Sequence, residues 1–346
     1  MRTGIIGCGN ISEVYLEAGR RFEALEIVAC ADLDRRRAEE KARAFPGVKA
    51  LTPKALLADK SIGLVLNLTV PKAHAEVTLA ALRAGKHVYS EKPLALTREE
   101  AQAIGDLAAK KGRLVGCAPD TFLGAGLQTA RKLVDDGWIG EPVAATAFMM
   151  CHGHESWHPA PEFYYEAGGG PLFDMGPYYL TALVSLLGPI ARVCASARAS
   201  FPERVITSEP QRGKRIAVET PTHIAGVLDF ASGAMANLTM SFDVWDHHLP
   251  CLEIYGSAGS LQLPDPNTFG GTILYRRAGA AEWSPIPHLY DFAEQSRGIG
   301  AVDLIHALEE NRPPRASYEM AAHVLDVMHG ILKSSESGRH VRIGSQ

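Results

Sequence analysis

Over the first 120 residues, short apolar runs alternate with stretches whose apolar positions recur every three or four residues. The runs 2–7, 25–31, 63–69, 86–90 and 114–117 read as strands. In Val65-Leu66-Asn67-Leu68-Thr69 the apolar character is nearly continuous, as expected of a parallel strand covered on both faces. Between the strands, 11–20, 34–44, 72–84 and 97–111 carry the helical period. This alternation predicts a doubly wound parallel sheet of the Rossmann type. Pro71 and Pro93 each follow a strand and mark loops at the carboxyl edge of that sheet, where such folds take up ligands.

After Pro119 the rhythm changes. A helix over 125–136 ends at Gly137, a strand runs over 143–150, and a Gly/Pro-rich loop leads to a helix over 174–187. Strands follow at 222–230, 234–243, 251–255, 259–263 and 272–276. The alternation in Ala234-Met235-Ala236-Asn237-Leu238-Thr239-Met240 predicts an antiparallel sheet with one covered face. Helices over 297–311 and 317–336 close the chain, and the polar stretch 202–217 reads as a mobile loop. The expected class is α/β. It has a Rossmann domain over 1–120, then an α+β domain over 121–346 with a large open, mostly antiparallel sheet.

The bulk numbers narrow the function classes. A chain of 346 residues supports two domains with ample core. It has 39 acidic and 35 basic residues, a net charge of −4, and no basic block. Nucleic acid and membrane surfaces are therefore not expected partners. The six cysteines, at 8, 30, 117, 151, 194 and 251, form no C-x-x-C pair, which fits a reduced intracellular protein. The first strand starts at the N-terminus and leaves no room for a signal peptide, and no apolar run reaches the roughly 18 residues of a membrane span. A cytoplasmic location is the expectation.

Gly7-Cys8-Gly9-Asn10-Ile11-Ser12 sits between the first strand and the first helix. That is the context of a dinucleotide phosphate loop. The first glycine permits the tight turn, and the second lets backbone approach a pyrophosphate at the helix N-terminus. Ser12 stands where glycine or alanine is usual. Asp32 ends the second strand about 20 residues further on, placed to accept hydrogen bonds from the ribose hydroxyls of NAD and to repel the 2′-phosphate of NADP. Its alternative role is to cap the helix that starts near Asp34. Arg35, Arg36 and Arg37 read as a solvated face. NAD is the expected cofactor and NADP the less favoured one.

Further along, Glu91-Lys92-Pro93 resembles the E-K-P signature of the Gfo/Idh/MocA oxidoreductases. So do the glycine turn, Asp32, the Thr69-Val70-Pro71 loop with His74, and Gly168-Gly169-Gly170-Pro171-Leu172-Phe173-Asp174-Met175-Gly176. The stretch Ile254-Tyr255-Gly256-Ser257-Ala258-Gly259-Ser260-Leu261 extends the resemblance into the second domain. The resemblance implies NAD(P)-dependent oxidation or reduction of sugars, cyclitols or their derivatives, and oligomer contacts through the open sheet. It implies cofactor contacts at Gly7, Gly9, Asn10, Ile11, Asp32, Thr69, Pro71, His74, Glu91 and Lys92. It also carries the catalytic lysine onto Lys92 and the aspartate of D-x-G-x-H onto Asp174. The family histidine is absent, and Tyr178 stands in its place.

Oxidation of an alcohol needs a base for the hydroxyl proton and a group that stabilises the developing negative oxygen. Lys92 suits the second role. Asp174 reads as an active-site carboxylate and as the N-cap of the helix it opens. Tyr178, four residues on, would share a helical face with it. A phenol beside Lys92 is one candidate base, because a neighbouring cation lowers its pKa. The histidines of Cys151-His152-Gly153-His154-Glu155-Ser156-Trp157-His158 supply the other. The expected substrate contacts are Lys92, Asp120, His154, Trp157, His158, Asp174 and Tyr178. The spacing of these histidines matches no standard zinc site, so no metal is expected. His247 and His248, after Trp245, form a second group that would equally suit a subunit contact. Three functions compete. One is an NAD-dependent dehydrogenase of a sugar, cyclitol or glycoside hydroxyl. Another is an NAD-dependent glycosidase working by transient oxidation and elimination. The third is a non-catalytic sensor of NAD or sugar, which retention of Lys92 and Asp174 disfavours.

Overall fold

The computed structural model describes residues 1–345. The chain forms two compact units: Met1–Leu123 with Ser296–Leu325, and Gly124–Gln295 with Asp326–Gln346. A boundary at 120/121 would leave 296–325 in the second domain, but these residues group with the first unit.

In the first unit, strands β1 (Arg2–Ile6), β2 (Glu26–Ala31), β3 (Lys49–Leu51), β4 (Leu64–Asn67), β5 (His87–Ser90) and β6 (Val115–Cys117) form one sheet in the order β3-β2-β1-β4-β5-β6. Every pairing is parallel. Ile5, Val65, Leu66, Val88 and Tyr89 are fully buried, which is why these strands are apolar on both faces. Helices α1 (Ser12–Arg21), α2 (Arg35–Ala44), α3 (Pro53–Ala58), α4 (His74–Arg83) and α5 (Arg98–Lys111) connect the strands. Two elements lie outside the predicted set. Strand β3 is three residues long, and α3 starts at Pro53 behind a Thr52 cap. Both are too short to show a period.

The second unit is built on a nine-stranded sheet. In chain order its elements begin with α6 (Ala125–Asp135), β7 (Pro142–Met150), α7 (Gly170–Asp174), α8 (Gly176–Leu187) and β8 (Ile190–Arg198). A hairpin of β9 (Glu203–Val205) and β10 (Arg215–Ala217) follows. Then come β11 (His223–Phe230), β12 (Met235–Ser241), β13 (Leu252–Gly256), β14 (Gly259–Leu263), β15 (Ile273–Arg277) and β16 (Ser284–Ile286). Helix α9 (Ile299–Glu310) belongs to the first unit, α10 (Tyr318–Ser337) starts there and enters the second unit at Asp326, and β17 (Val341–Arg342) follows. The large sheet runs β16-β15-β14-β13-β7-β12-β11-β8-β17, antiparallel throughout except where β7 meets β12. Along β12, Ala236, Leu238 and Met240 are buried while Met235 and Asn237 are exposed, so one face is covered.

Two sequence readings need correction. The stretch 202–217 is not a mobile loop. Ile206 and Ile216 are buried with Tyr165 and Phe242 in a small core, and this burial fixes the hairpin. The helix expected over 174–187 is broken at Met175. Pro177 has no N–H to give the Phe173 carbonyl, and its ring crowds that position. Asp174 therefore ends α7. It does not cap α8, whose N-cap is Met175 with no side-chain cap bond, and it shares no helix with Tyr178.

Candidate active site

The first unit places its candidate residues at the carboxyl end of the parallel sheet. Gly7, at φ +103°, follows β1, and a Cβ there would lie 2.5 Å from the Leu68 carbonyl. A Cβ on Gly9 would meet nothing within 4 Å, so the turn leaves open room where a phosphate needs it. Ser12 opens α1 and its hydroxyl donates to Gly9 O at 2.6 Å, a local use for the departure from glycine. Asn10 is exposed and Ile11 half-buried beside this turn.

Asp32 accepts from the Cys8 N–H at 2.8 Å and the Asp34 N–H at 2.9 Å, one bond to each carboxylate oxygen. It thus ties the glycine turn to the end of β2. The cap of α2 is Asp34, which accepts from the Arg36 N–H, and not Asp32. Each Asp32 oxygen keeps lone-pair capacity for a ribose hydroxyl. Arg35 is paired with Glu39 at 2.7 Å and Arg36 with Asp34 at 2.9 Å. These two cations are engaged by local carboxylates. The residues present therefore fit NAD.

The loops around β4 and β5 are cross-tied. His74 is buried, with Nδ1 2.7 Å from Pro93 O and Nε2 2.9 Å from Thr69 O; burial lowers its pKa. Its ring thereby links the half-buried Thr69 and Pro71 segment to the loop that carries Lys92. Glu91 accepts from Tyr15 OH at 2.8 Å and from the Lys92 N–H at 3.1 Å. Lys92 is half-buried and precedes a cis Pro93. Asp120 is buried and accepts from Gly298 and Gly300 N–H at 2.9 and 3.0 Å, beside the N-terminus of α9. Burial raises its pKa to about 6.

The second unit gathers the remaining candidates. The loop after β7 brings His154 Nε2 to 3.4 Å from Asp174 Oδ2, across 20 residues of sequence. The His154 ring packs against Tyr164, Phe242 and Trp157, with centroids 4.1, 4.6 and 5.3 Å away. Its Nδ1 is buried without a hydrogen-bond partner. His158 lies edge-on to Trp157 and Tyr164, and burial lowers its pKa. Trp157 is 61% exposed, which leaves indole surface for a ligand, whereas Tyr178 is buried at 8% in α8. No three His, Cys, Asp or Glu side chains among the described residues are grouped to hold a metal ion.

The device that shapes this loop was not evident from the sequence. Arg204, in the hairpin, donates Nη1 to Glu155 Oε1 at 2.9 Å and Nη2 to Asp243 Oδ1 and Phe242 O, both at 2.5 Å. Tyr165 OH also donates to Glu155, and burial raises the phenol's pKa. The Glu155 carbonyl accepts from Thr207 and Ser208 N–H at 2.8 and 3.0 Å, and Ser208 Oγ donates to the His158 carbonyl at 2.6 Å. Burying such charges is tolerable only when they are paired and hydrogen-bonded in this way.

Residues 1–118 match the model of an oxidoreductase family with an NAD-binding Rossmann fold, and residues 127–262 match the GFO/IDH/MocA C-terminal domain. The chain belongs to the Gfo/Idh/MocA family. As a member of it, the protein is an NAD(P)-dependent oxidoreductase, and its cofactor is NAD. It is 26% identical over 353 residues to 1,5-anhydro-D-fructose reductase of Ensifer adhaerens, covering 99% of this chain and 98% of that protein. Myo-inositol 2-dehydrogenase of Thermotoga maritima is 23% identical over 347 residues, covering 99% and 98%. A solved structure of levoglucosan dehydrogenase with NADH and L-sorbose shares the fold at a TM-score of 0.87, with 21% identity and 100% and 99% coverage. No helix among the described residues is long and apolar enough to cross a membrane.

Proposed function

We propose that this Gfo/Idh/MocA protein is an NAD-dependent dehydrogenase that oxidises a hydroxyl of a sugar, cyclitol or glycoside. The observation that carries the reading is the imidazole–carboxylate pair of His154 and Asp174, set among exposed and half-buried aromatic rings. It supplies an imidazole where the family histidine is replaced by Tyr178. The full-length relatives named for an anhydrosugar and an inositol support a polyhydroxylated substrate.

In this reading the glycine turn holds the pyrophosphate through Gly7, Gly9, Asn10 and Ile11, and Asp32 holds a ribose. Thr69, Pro71, His74 and Glu91 shape the loops beside it. Bound NAD supplies the hydride acceptor. Lys92 donates to the reacting oxygen and stabilises its negative charge. The hydroxyl proton is taken up by the second-unit pair and held between His154 Nε2 and Asp174 Oδ2, because His154 Nδ1 is sealed from solvent. Trp157 covers an apolar sugar face, and His158 bonds hydroxyls. Tyr178 is the competing proton acceptor. Asp120 serves the fold of the first unit through Gly298 and Gly300, and any substrate contact would be secondary. The uncovered sheet face, where Met235 and Val227 are exposed, supports self-association.

The test is NADH formation over a panel of sugars, inositols and glycosides, followed by pH–rate profiles of two variants. His154→Gln should lower kcat by about 100-fold or more and remove the rise of rate with pH, as for loss of a proton acceptor. Tyr178→Phe should mainly raise KM. The reverse pattern makes Tyr178 the base. Aglycone release without net NADH would replace the dehydrogenase reading with the glycosidase one. NAD binding with no turnover of any substrate would favour a sensor.

A further inference from the structure

Two of the six cysteines frame the glycine turn of the first unit. Cys8 lies between Gly7 and Gly9, and Cys30 lies in β2, two residues before Asp32. The turn is laced to that strand: Gly7 N–H donates to Ala31 O at 2.8 Å, and Cys8 N–H to Asp32 at 2.8 Å. Cys8 Sγ lies 3.5 Å from the same Ala31 carbonyl, and Cys30 Sγ lies 3.4 Å from the Ala38 carbonyl of α2. The two thiols also hydrogen-bond to each other, which lowers the pKa of Cys30 and raises that of Cys8. Cys30 is thus the sulfur favoured as thiolate, the nucleophilic form, and Cys8 the one that keeps its proton.

Both side chains are buried, but the turn beside them is open. A Cβ on Gly9 would meet nothing within 4 Å, and Asn10 is exposed. An oxidant must therefore be close to water in size. We propose that Cys8 and Cys30 are an oxidative modification site for hydrogen peroxide, and that their disulfide weakens NAD binding. The Cys30 thiolate attacks one peroxide oxygen. The S–O bond forms, the O–O bond breaks, and the departing hydroxide takes up the proton Cys30 released, giving water. The Cys8 sulfur then attacks Cys30 of the sulfenic acid. The S–S bond forms, the S–O bond breaks, and the Cys8 proton leaves with the oxygen as a second water. The two thiols lose two electrons, and one peroxide becomes two waters. Bonding draws Cys8 toward β2. Gly7 cannot follow, because it is wedged against the Leu68 carbonyl, so the displacement falls on Cys8 and Gly9. Gly9 is the residue whose backbone is to approach the pyrophosphate.

The site goes beyond the dehydrogenase reading, and its test needs no substrate. The full chain would be treated with hydrogen peroxide, with and without saturating NAD. Free thiols would then be counted after denaturation, the disulfide mapped by peptide mass spectrometry, and NAD affinity titrated by tryptophan fluorescence. Two of the six thiols should be lost, and the Cys8 and Cys30 peptides should be joined. NAD affinity should fall about tenfold or more and return with dithiothreitol. Saturating NAD should slow the loss of these two thiols, because it holds the turn in the reduced geometry. Cys30→Ser should bind NAD as the wild type does and keep that affinity after peroxide. The proposal is overturned if both thiols stay free, or if the disulfide forms while NAD affinity stays within about twofold. It is equally overturned if NAD gives no protection, or if Cys30→Ser loses NAD affinity to peroxide as the wild type does.

Discussion

Arg204→Met tests whether the loop bearing His154 is held by the buried ion network. The guanidinium spans Glu155 and Asp243, and all three side chains are more than nine-tenths buried. The substitution keeps apolar volume but leaves two carboxylates without their cation. Breaking a buried pair by removing one partner costs about 3–5 kcal/mol. The remaining bonds to Glu155 and Asp243, from Tyr165 OH and Thr222 Oγ1, hold the carboxylates in place, so little of that cost is relieved by movement. The expected loss is thus about 4 kcal/mol in the second unit. A second variant separates charge from shape. Arg204→Met with Glu155→Gln and Asp243→Asn removes all three charges and should recover at least about half of the loss. Urea titration followed by tryptophan fluorescence reads this unit directly, because Trp157 and Trp245 stand on and beside the loop. A single-variant loss under about 1 kcal/mol, or a triple variant no more stable than the single, would refute the argument.

Asp32→Ser should weaken NAD by about tenfold or more, about 1.4 kcal/mol, and narrow the gap to NADP, as read by fluorescence titration of both cofactors; wild-type enzyme that prefers NADP would contradict the assignment. Lys92→Ala should lower kcat by about 100-fold or more while NAD still binds, and activity within a few fold of wild type would remove Lys92 from the chemistry. His87 is buried and its pKa is pushed down to about 4 by burial, reinforced by the Arg113 cation. The fold therefore binds its neutral form. Its contribution is fully present above the ordinary histidine value near pH 6.5 and is lost as the pH falls through about 4, to a total of about 3 kcal/mol. His87→Gln should flatten the acid side of the stability profile, and an unchanged slope in that variant would assign the loss to other groups.

The first unit is legible in the sequence because its strands are buried on both faces and its helices on one. Val65–Leu68 and the helix over 97–111 announce themselves by pattern alone, the latter with a Thr97–Glu100 capping box. Strand β8 does not. Its covered positions Ile190 and Val193 are separated by small and polar residues, and Ala195 and Ala197 carry too little apolar surface to mark a period. Strands β9 and β10 are hidden differently. Each contributes three residues, and the apolar contacts that fix them come from Tyr165 and Phe242, far away in sequence. Pairings of that kind are set by tertiary burial, which a local window does not contain.

The site divides along the same line. Gly7, Gly9 and Asp32 belong to one βαβ unit, so their spacing is visible in the sequence. Even there, local reasoning left two roles for Asp32, and the Asp34 cap of α2 removes one of them. The residues proposed to handle the proton are different. Helical spacing paired Asp174 with Tyr178, but that inference assumed an unbroken helix. Pro177 sits where its ring and missing N–H interrupt the hydrogen bond to Phe173, and the break frees Asp174 from the register of α8. An aspartate at the end of a five-residue helix can turn toward another element, and here it faces His154. The proline that replaces helix continuity and the tyrosine that replaces the family histidine stand side by side. Tyr178 carries no imidazole, and the loop held by Arg204 is the element that brings one, His154, to Asp174.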